Sequence, residues 1–374
     1  MSKVAERIEN YWRGTYKLKN KAFVIYGMSK RAIYLYKDLS KQGSNVIAFT
    51  DSKQTEVTDR KFCGKTIWTL KDLKDNVTEV NVLIATYNIR YIREICKTLL
   101  ELGVQGENIF IVGSLSDDKR KESEKILLQN EEKVRKVYEN LADEESRIIY
   151  REILEYRVKE ELNLTKDAFS RSVACGGQYF DREIVMLSDE EVYVDGGAYI
   201  GDTIDSFVKC SNGKFSHIYA FEADSSIRDT LSEMCSVLKI SDRVDIMPYA
   251  MLDEKKEVYF DSDGNHSTSG KIENSKGTLI QAVSLDSVLS DKKVTFIKMD
   301  IEGAELPALK GAKHIIETQR PKLAICIYHS VEELYEIPLY LMETCCDYKF
   351  YVRHYSFYNG ESVLYAIPNE LAKL

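Results

Sequence analysis

The segment 192–203 constrains the fold more than any other part of the chain. It reads V-Y-V-D-G-G-A-Y-I-G-D-T, so a short apolar strand ends on Asp195, enters a glycine turn and opens a helix with polar residues. A second apolar strand ends on Glu222, 21 residues after Gly201, and a third ends just before Asp300. Acids and glycines at the C-terminal ends of neighbouring strands are typical of cofactor clefts in open α/β sheets. The pattern predicts such a cleft.

Composition excludes several classes of protein. A chain of 374 residues is long enough for two domains with separate cores. The net charge of −8 argues against a nucleic-acid partner. The eight cysteines include no C-x-x-C pair, which argues against a zinc site or a disulfide framework, and reduced thiols predict a cytoplasmic protein. No apolar run approaches the length of a membrane span, so we predict no transmembrane segment.

Three regions of the chain differ in pattern. Residues 1–113 alternate strand-like and helix-like segments, which predicts a small Rossmann-like α/β domain with a parallel sheet. Residues 114–173 contain no glycine or proline and carry apolar stripes at helical spacing, which predicts a helical connector packed on the next domain. Asp143 is the predicted cap of its second helix. Residues 174–374 predict a second, larger α/β domain.

The predicted elements follow from these patterns. In the first domain, strands are predicted at 22–26, 45–50, 80–85 and 109–112, with helices at 30–42 and 90–102. In the second domain, strands are predicted at 192–195, 217–221, 244–250, 294–299 and 322–328, then a helix at 331–345 and an antiparallel pair at 349–355 and 362–367. Within the insertion 258–283, the glycine- and serine-rich stretch 261–270 predicts a hairpin or lid.

The spacing around the first strand favours one cofactor. The pattern Asp195-x-Gly197-x-x-x-Gly201 differs from the dinucleotide fingerprint G-x-G-x-x-G, which admits a pyrophosphate. An acid before the glycines suits a ligand with an ammonium and a sulfonium group. We therefore predict S-adenosylmethionine, with both glycines letting the backbone approach its methionine part and ribose. The alternative is a strand–turn–helix that needs glycine only for packing.

Other residues complete the predicted cofactor site. The Glu222 carboxylate offers two acceptor oxygens for ribose hydroxyls, at the distance from the glycine turn where such folds bind ribose. The alternative is a solvated acid at a strand end. Ala250, at the end of the third strand, is predicted to line the adenine pocket. The predicted set also includes the residues that open the helix after the glycine turn, namely Tyr199, Asp202 and Thr203.

The acceptor is predicted to lie beside Asp300, whose carboxylate points into the cleft near the transferred methyl group. Glu302 and Glu305 follow and begin the next helix; for Glu305 a favourable charge in the first helical turn is an equal alternative. Two of these carboxylates can in principle bind a divalent ion. Because no histidine or third carboxylate occurs at an obvious spacing, the sequence predicts no metal.

His329 follows the fifth strand and is the predicted general base for the acceptor hydroxyl. His266 in the insertion is the second candidate. His217 and His314 have strand and helix contexts typical of structural histidines, and the role of His354 is left open.

The chain resembles the FkbM family of methyltransferases over residues 174–368. The resemblance rests on the segments Gln178-Tyr-Phe-Asp181, Asp195-Gly-Gly-Ala-Tyr-Ile-Gly-Asp-Thr203, Phe221-Glu-Ala-Asp224, Lys298-Met-Asp-Ile-Glu-Gly-Ala-Glu305, Arg320-Pro321, Tyr351-Val-Arg-His-Tyr-Ser356 and Val363-Leu-Tyr-Ala-Ile-Pro368. It implies a class I methyltransferase fold, S-adenosylmethionine as cofactor, and a hydroxyl on a sugar or natural product as acceptor. It also implies cofactor contacts at Asp195, Gly197, Gly201 and Glu222, with Asp300 facing the acceptor. Members often end the fifth strand on E-x-H, whereas this chain has Ile327-Tyr328-His329.

The first domain resembles the nucleotide-binding modules of sugar-modifying enzymes. Its turn Tyr26-Gly27-Met28-Ser29-Lys30 lacks the second glycine of the usual pattern, although Asp51 lies where a ribose-binding acid would be. We favour a scaffold, or a module that docks glycan-biosynthesis enzymes, over a working nucleotide-sugar site.

The leading hypothesis is O-methylation of a sugar hydroxyl on a glycan or glycan precursor. N- or carboxyl-methylation of a glycan substituent is a close variant. The alternatives are a nucleotide-sugar oxidoreductase, which the missing glycine after Gly27 disfavours, and a non-catalytic glycan-assembly module, which would not need the acids and glycines described above.

Overall fold

The structure is a computed structural model that describes residues 22–41, 44–52, 56, 59–86, 89–111, 117–159, 177–261, 271–273, 277–356 and 359–372. The described residues before 117 form one compact unit, and those from 117 onward form a second. Among the described residues, no helix is both long enough and apolar enough to cross a membrane.

The first unit is a six-stranded sheet with helices between its strands. The strands are β1 (Ala22–Tyr26), β2 (Val46–Thr50), β3 (Lys61–Phe62), β4 (Lys65–Trp68), β5 (Val80–Ile84) and β6 (Ile109–Ile111), and the helices are α1 (Lys30–Lys41), α2 (Leu70–Lys74) and α3 (Ile89–Glu101). The strand order is β3-β4-β2-β1-β5-β6, and only the β3–β4 pair is antiparallel. The predicted strands and helices of this region are present, with ends within one residue.

The sequence missed the β3–β4 hairpin. Its turn consists of Cys63 and Gly64, which have φ angles of 51° and 75°. Two successive residues with positive φ are typical of the tight turn that joins a hairpin, where Asn-Gly is the usual signal. A cysteine in the first position hid the turn.

The second unit contains the remaining strands and helices. The strands are β7 (Val192–Gly196), β8 (His217–Phe221), β9 (Val244–Met247), β10 (Ala250–Met251), β11 (Lys256–Asp261), β12 (Lys271–Glu273), β13 (Thr278–Val283), β14 (Phe296–Met299), β15 (Lys322–Cys326), β16 (Tyr348–His354) and β17 (Ser362–Pro368). The helices are α4 (Asp117–Gln129), α5 (Glu131–Asn140), α6 (Glu144–Lys159), α7 (Asp202–Cys210), α8 (Ser225–Val237), α9 (Leu285–Leu289), α10 (Glu305–Lys310), α11 (Lys313–Gln319) and α12 (Glu333–Thr344).

A seven-stranded sheet organises this unit, in the order β16-β17-β15-β14-β7-β8-β9. The strands β7, β8, β9, β14 and β15 run parallel, whereas β17 is antiparallel to both of its neighbours, β15 and β16. The predicted doubly wound sheet with an antiparallel C-terminal strand pair is therefore confirmed. Because β7, β8 and β14 are adjacent and parallel, their C-terminal ends meet at one edge of the sheet.

The prediction of one strand over 244–250 is wrong beyond Met247. The chain passes through Pro248, which has no backbone N–H to continue a ladder. Ala250 and Met251 form β10 in a separate four-stranded sheet, ordered β10-β13-β11-β12. The predicted insertion supplies the antiparallel strands of that sheet, while its stretch 262–270, including His266, lies outside the described residues.

The helices α4 to α6 belong to the second unit. Leu141, Ile149 and Ile153 are buried in one hydrophobic cluster with Ile297 and Ile325 of the large sheet. Asp143 caps α6, as predicted, since its Oδ1 accepts the Ser146 N–H at 2.7 Å. The predicted connector 114–173 thus shares the core of the following α/β region over residues 117–159.

Candidate active site

Three strand ends bring the predicted cofactor residues together. In the parallel register, Asp195 of β7 lies between Ala220 of β8 and Lys298 of β14. Register neighbours on parallel strands project to the same face of the sheet. The acid that ends the first strand is therefore beside a lysine that the sequence analysis did not assign to the site.

Asp195 and Lys298 form a fully buried ion pair. Lys298 Nζ donates to Asp195 Oδ1 at 2.9 Å and to the carbonyl oxygens of Gly196 and Gly197, each at 3.0 Å. The other carboxylate oxygen, Asp195 Oδ2, is buried and has no hydrogen-bond partner. Buried polar atoms are nearly always paired in folded proteins, so this oxygen is an acceptor in need of a donor.

Burial raises the pKa of the Asp195 carboxyl to about 6, although the Lys298 ammonium opposes that shift. For Lys298, burial would lower the pKa, but the carboxylates of Asp195 and Asp300 outweigh it and raise the pKa. The lysine therefore remains a cation at neutral pH, and the acid is the member of the pair that titrates.

The two glycines of the turn have different surroundings. Gly197 has a φ of 76°, and a Cβ atom there would lie 2.0 Å from the carbonyl oxygen of Asp300. Gly201 has a φ of 86° at the N-cap of α7, and a Cβ atom there would meet Leu231 and Met234 of α8 at 3.0–3.1 Å. Both positions therefore require glycine for close approach within the protein. Cofactor contacts at Gly197 and Gly201 stay predictions.

Glu222 is fixed by backbone donors on both sides. Its Oε2 accepts the N–H of Tyr199 at 2.8 Å, and its Oε1 accepts the N–H of Asp224 at 2.7 Å. Burial raises the pKa of Glu222, and these two N–H groups oppose the shift. A carboxylate has about four acceptor sites, so each oxygen retains a lone pair for a ligand hydroxyl.

The remaining predicted cofactor residues flank this edge. Tyr199 has a φ of 48°, and Asp202 and Thr203 are the first two residues of α7. Ala250 is buried in a small apolar cluster with Leu252 and Ala282, against which the half-buried Ala223 and Ala304 pack. Ala223 directly follows Glu222, so this cluster is an apolar surface next to the predicted ribose acid.

Asp300 is held by two tyrosines. Its Oδ2 accepts the hydroxyl of Tyr179 at 2.8 Å, and its Oδ1 accepts the hydroxyl of Tyr328 at 2.9 Å. Burial acts to raise the pKa of Asp300, but the adjacent His329 and the charge of Lys298 outweigh it and lower the pKa. Asp300 is consequently an ionised acceptor of hydrogen bonds.

His329 lies among four carboxylates. Its Nε2 is 3.3 Å from Asp300 Oδ1 and 3.6 Å from Glu302 Oε2. Its Nδ1 is 3.3 Å from Glu305 Oε1 and 3.6 Å from Glu333 Oε2. Burial acts to lower the pKa of His329, but the carboxylates outweigh it and raise the pKa. A general base must be the neutral ring, a state that these surroundings disfavour.

Glu305 and Glu333 lie close to His329, although the sequence spacing suggested no such group. Glu305 is completely buried, and its carboxylate accepts the N–H groups of Ile301 at 2.8 Å and Gly303 at 3.0 Å. Glu333, at the start of α12, reaches the same place, and its Oε2 accepts the backbone N–H of His329 at 2.9 Å. A histidine and further carboxylates therefore do surround Asp300, although they are far apart in sequence.

In the first unit, the glycine turn and Asp51 follow neighbouring parallel strands. Gly27 has a φ of 112° and donates its N–H to the carbonyl of Thr50 at 2.7 Å, which joins the turn after β1 to the end of β2. Asp51 follows directly and is half-buried. Nucleotide binding by this unit stays a prediction.

Comparisons with known proteins agree with the fold. Residues 195–350 match the family model described as Methyltransferase FkbM domain. The solved FkbM methyltransferase from Methylobacillus flagellatus KT is 23% identical, with a TM-score of 0.63 over 93% of this chain and 90% of that chain. At this identity the likeness is one of fold. A search of curated proteins finds no match.

Two more distant solved structures match parts of the chain. An rRNA methylase from Streptococcus thermophilus is 16% identical, with a TM-score of 0.32 over 48% of this chain and 87% of its own. UDP-D-quinovosamine 4-dehydrogenase from Vibrio fischeri is 23% identical, with a TM-score of 0.20 over 25% of this chain and 78% of its own. The matched family segment includes Asp195, Glu222, Asp300 and His329. By the family match, residues 195–350 thus carry an FkbM methyltransferase domain, as the sequence resemblance implied, and the chain is an enzyme of the methyltransferase class.

Proposed function

We propose that this methyltransferase uses S-adenosylmethionine to methylate a sugar hydroxyl on a glycan or glycan precursor. The observation that carries the cofactor assignment is the buried, unpaired Oδ2 of Asp195. It lies at the strand edge where Glu222 is also anchored with free acceptor capacity. An unpaired anionic oxygen fits a cationic ligand group, whereas a pyrophosphate would be repelled.

Different residues of the chain would bind different groups of the cofactor. Asp195 Oδ2 would accept from the ammonium group of the cofactor, and Glu222 would accept from its ribose hydroxyls. The apolar cluster around Ala250 would cover one face of the adenine. When bound, the cofactor supplies an activated methyl group on a positively charged sulfur.

Methyl transfer depends mainly on how the acceptor hydroxyl is positioned relative to the methyl group of the cofactor. In an in-line displacement, the positive charge on sulfur and the negative charge on the acceptor oxygen cancel as the methyl group moves. Orientation of the two reactants can therefore supply much of the rate. Asp300 is suited to hold the acceptor hydroxyl, because it is ionised and fixed by Tyr179 and Tyr328. A base contributes roughly a further 10²–10⁴-fold in such reactions.

The assignment of a sugar hydroxyl as acceptor rests on the resemblance to the FkbM family. Aromatic rings can stack on sugars, but Phe350 of β16 and Tyr365 of β17 are buried and pack in the core. One observation favours the alternative of N-methylation: the carboxylates beside His329 would attract an acceptor with an ammonium group.

The cofactor assignment is tested by calorimetry on the full chain. We expect S-adenosylmethionine and S-adenosylhomocysteine to bind, and Asp195→Ala and Glu222→Gln to weaken both. Glu233→Gln, an exposed substitution on α8, is the matched control. Binding of NAD in place of both adenosyl ligands would support the oxidoreductase alternative, and binding of none would overturn the assignment. UDP-glucose in the same experiment tests the first unit, for which we propose a scaffold or docking role.

The acceptor is tested in cells. We expect glycans from a deletion strain to lack one methylene group by mass spectrometry and to regain it when the wild-type gene, but not Asp195→Ala, is restored. Fragmentation that places the methyl on nitrogen would favour the amine acceptor. Unchanged glycans would contradict both. Fractionation of the same cells tests the proposed cytoplasmic location.

A further inference from the structure

Four carboxylates converge on the single ring of His329. We call Asp300, Glu302, Glu305, His329 and Glu333 the His329 cluster. A histidine ring has at most two N–H groups, whereas four carboxylates have oxygens within 3.3–3.6 Å of its nitrogens. At least two of the acids can therefore receive no proton from the ring.

The two cations that act on these acids donate hydrogen bonds to other groups. Lys298 acts on Asp300 electrostatically, but its ammonium group is bonded to Asp195 and two carbonyl oxygens. Arg157 of α6 is close enough to Glu333 to be influenced by its charge, but its guanidinium donates to the carbonyl oxygens of Tyr328 and Asn359.

The ring of His329 gives an independent indication of a missing ligand. Its side chain is only 7% exposed, and neither Nδ1 nor Nε2 makes a hydrogen bond. Buried ring nitrogens without hydrogen bonds are rare in folded proteins, and imidazole is the commonest nitrogen ligand of metals. The two ring nitrogens are thus buried, make no hydrogen bond and face a group of carboxylates.

The spacing of the donor atoms suits one cation. Asp300, Glu305 and His329 each offer a ligand atom, and these atoms lie within 4.8 Å of one another. Ligand atoms at roughly 2.0–2.6 Å from a common ion are separated by no more than about 5 Å.

The acids are also oriented from behind, as metal ligands commonly are. The carboxylate of Glu305 is held by the N–H groups of Ile301 and Gly303, and that of Asp300 by two tyrosine hydroxyls. Donors that hold a carboxylate in this way fix its orientation and leave lone pairs for the ion.

We propose that Asp300, Glu305 and His329 bind a divalent cation of the Mn²⁺ type, with Glu302 and Glu333 at its periphery. A mixed set of carboxylate oxygens and one imidazole suits Mn²⁺ better than a soft, thiolate-preferring metal. Binding requires the neutral ring, so a protonated His329 releases its proton to solvent as the ion enters. The role of the ion rests on the proposed function. It would bind the acceptor hydroxyl and favour loss of its proton to solvent water, while the methyl group passes from the sulfonium sulfur to the oxygen.

The site is tested by titrating the chelator-treated full chain with Mn²⁺. Electron paramagnetic resonance counts the free ion, and calorimetry gives the affinity. We expect one site. His329→Asn and Asp300→Asn should each weaken binding by at least ~10-fold, whereas the matched control His217→Asn, at the start of β8 beside Asp245, should bind as the wild type does. No binding at millimolar Mn²⁺, or equal binding by all four proteins, would overturn the proposal.

A second measurement needs no variant of the site. Pulsed electron paramagnetic resonance of Mn²⁺ on the wild-type chain should show a coupled nitrogen nucleus from a coordinated histidine, and His217→Asn should show the same signal. Absence of that nitrogen coupling overturns ligation by His329 even if the variants fail to fold. Titration with S-adenosylmethionine in the same samples tests the cofactor proposal separately from the metal proposal, because the two sites share no residue.

Discussion

The Lys298 ammonium group lies 2.9 Å from Asp195 Oδ1, with both side chains almost wholly excluded from solvent. The pair follows directly from the parallel register, which makes the two residues neighbours on β14 and β7. The lysine also bonds two carbonyl oxygens of the glycine turn. One side chain therefore fixes both the acid and the turn of the proposed cofactor site.

Lys298→Met should destabilise the fold and abolish cofactor binding. Removing one partner of a buried ion pair leaves an uncompensated charge, which costs about 3–5 kcal/mol of unfolding free energy. Urea unfolding measures the loss. Lys209→Met is the control, because it breaks an exposed ion pair with Asp205 in the adjacent helix, worth no more than about 0.5 kcal/mol. Equal losses in the two variants would show that the buried pair has no special role.

Gly197→Ala and Gly213→Ala should separate steric overlap from backbone strain. Both glycines have a left-handed backbone, with φ angles of 76° and 72°. At Gly213 nothing lies within 4 Å of a new Cβ atom, so only the strain of about 1–2 kcal/mol applies. At Gly197 the new atom would overlap the carbonyl oxygen of Asp300.

We therefore expect Gly197→Ala to be less stable than Gly213→Ala and to lose cofactor binding, as measured by thermal unfolding and calorimetry. Gly213→Ala should keep the wild-type affinity. Similar stability and affinity for the two variants would mean that Gly197, after β7, and the carbonyl group of Asp300, after β14, are not as close as the structure shows.

Cofactor affinity should depend on pH through Asp195. The pKa of this acid is raised to about 6, and only its ionised form can accept from a cationic ligand group. The dissociation constant for S-adenosylhomocysteine should thus be flat above about pH 7 and rise about tenfold per pH unit well below 6. Asp195→Asn should bind weakly and without this slope. A wild-type affinity that stays constant down to pH 5 would contradict the assignment of Asp195.

The sequence located the acids of the site because each one ends or follows a strand. Asp195, Glu222 and Asp300 could be found from short apolar runs, and parallel connectivity then put them at one edge. The partners that hold them could not be found in this way. Lys298 faces Asp195 only through strand register, and Glu333 reaches His329 from the start of another helix.

Two signals for these missed residues were present in the sequence. Lys298 and Tyr179 both belong to segments that carry the family resemblance, Lys298-Met-Asp300 and Gln178-Tyr-Phe-Asp181. A lysine inside a buried strand needs a buried counter-charge, which is a physical reason to look for an acid next to it. Glu305 ends the same segment as Lys298, but no physical signal identifies it as buried, since a glutamate in a first helical turn is ordinarily solvated.

Asp143→Asn should remove an acid-sensitive contribution to stability. The Asp143 carboxylate binds Arg353 of β16 at 2.7 Å, which connects the cap of α6 to the edge of the large sheet. Burial acts to raise the pKa of Asp143, but hydrogen bonds from Arg353 and Ser146 outweigh it and lower the pKa. An acid with a lowered folded pKa stabilises the protein above its unfolded value of about 3.9, and the contribution is lost as the pH falls through the folded pKa.

Asparagine is an equally good helix cap, so this substitution removes chiefly the charge. Because Asp143 is about one-third exposed, solvent screening limits the expected loss to about 1 kcal/mol at pH 7. Urea unfolding at several pH values should show the difference between wild type and variant shrinking towards zero below about pH 4. The control Asp189→Asn breaks an exposed pair with Lys214 and should change stability by less than about 0.5 kcal/mol throughout. A difference that persists unchanged into acid would mean that packing of the cap, rather than the charge of Asp143, connects α6 to the sheet.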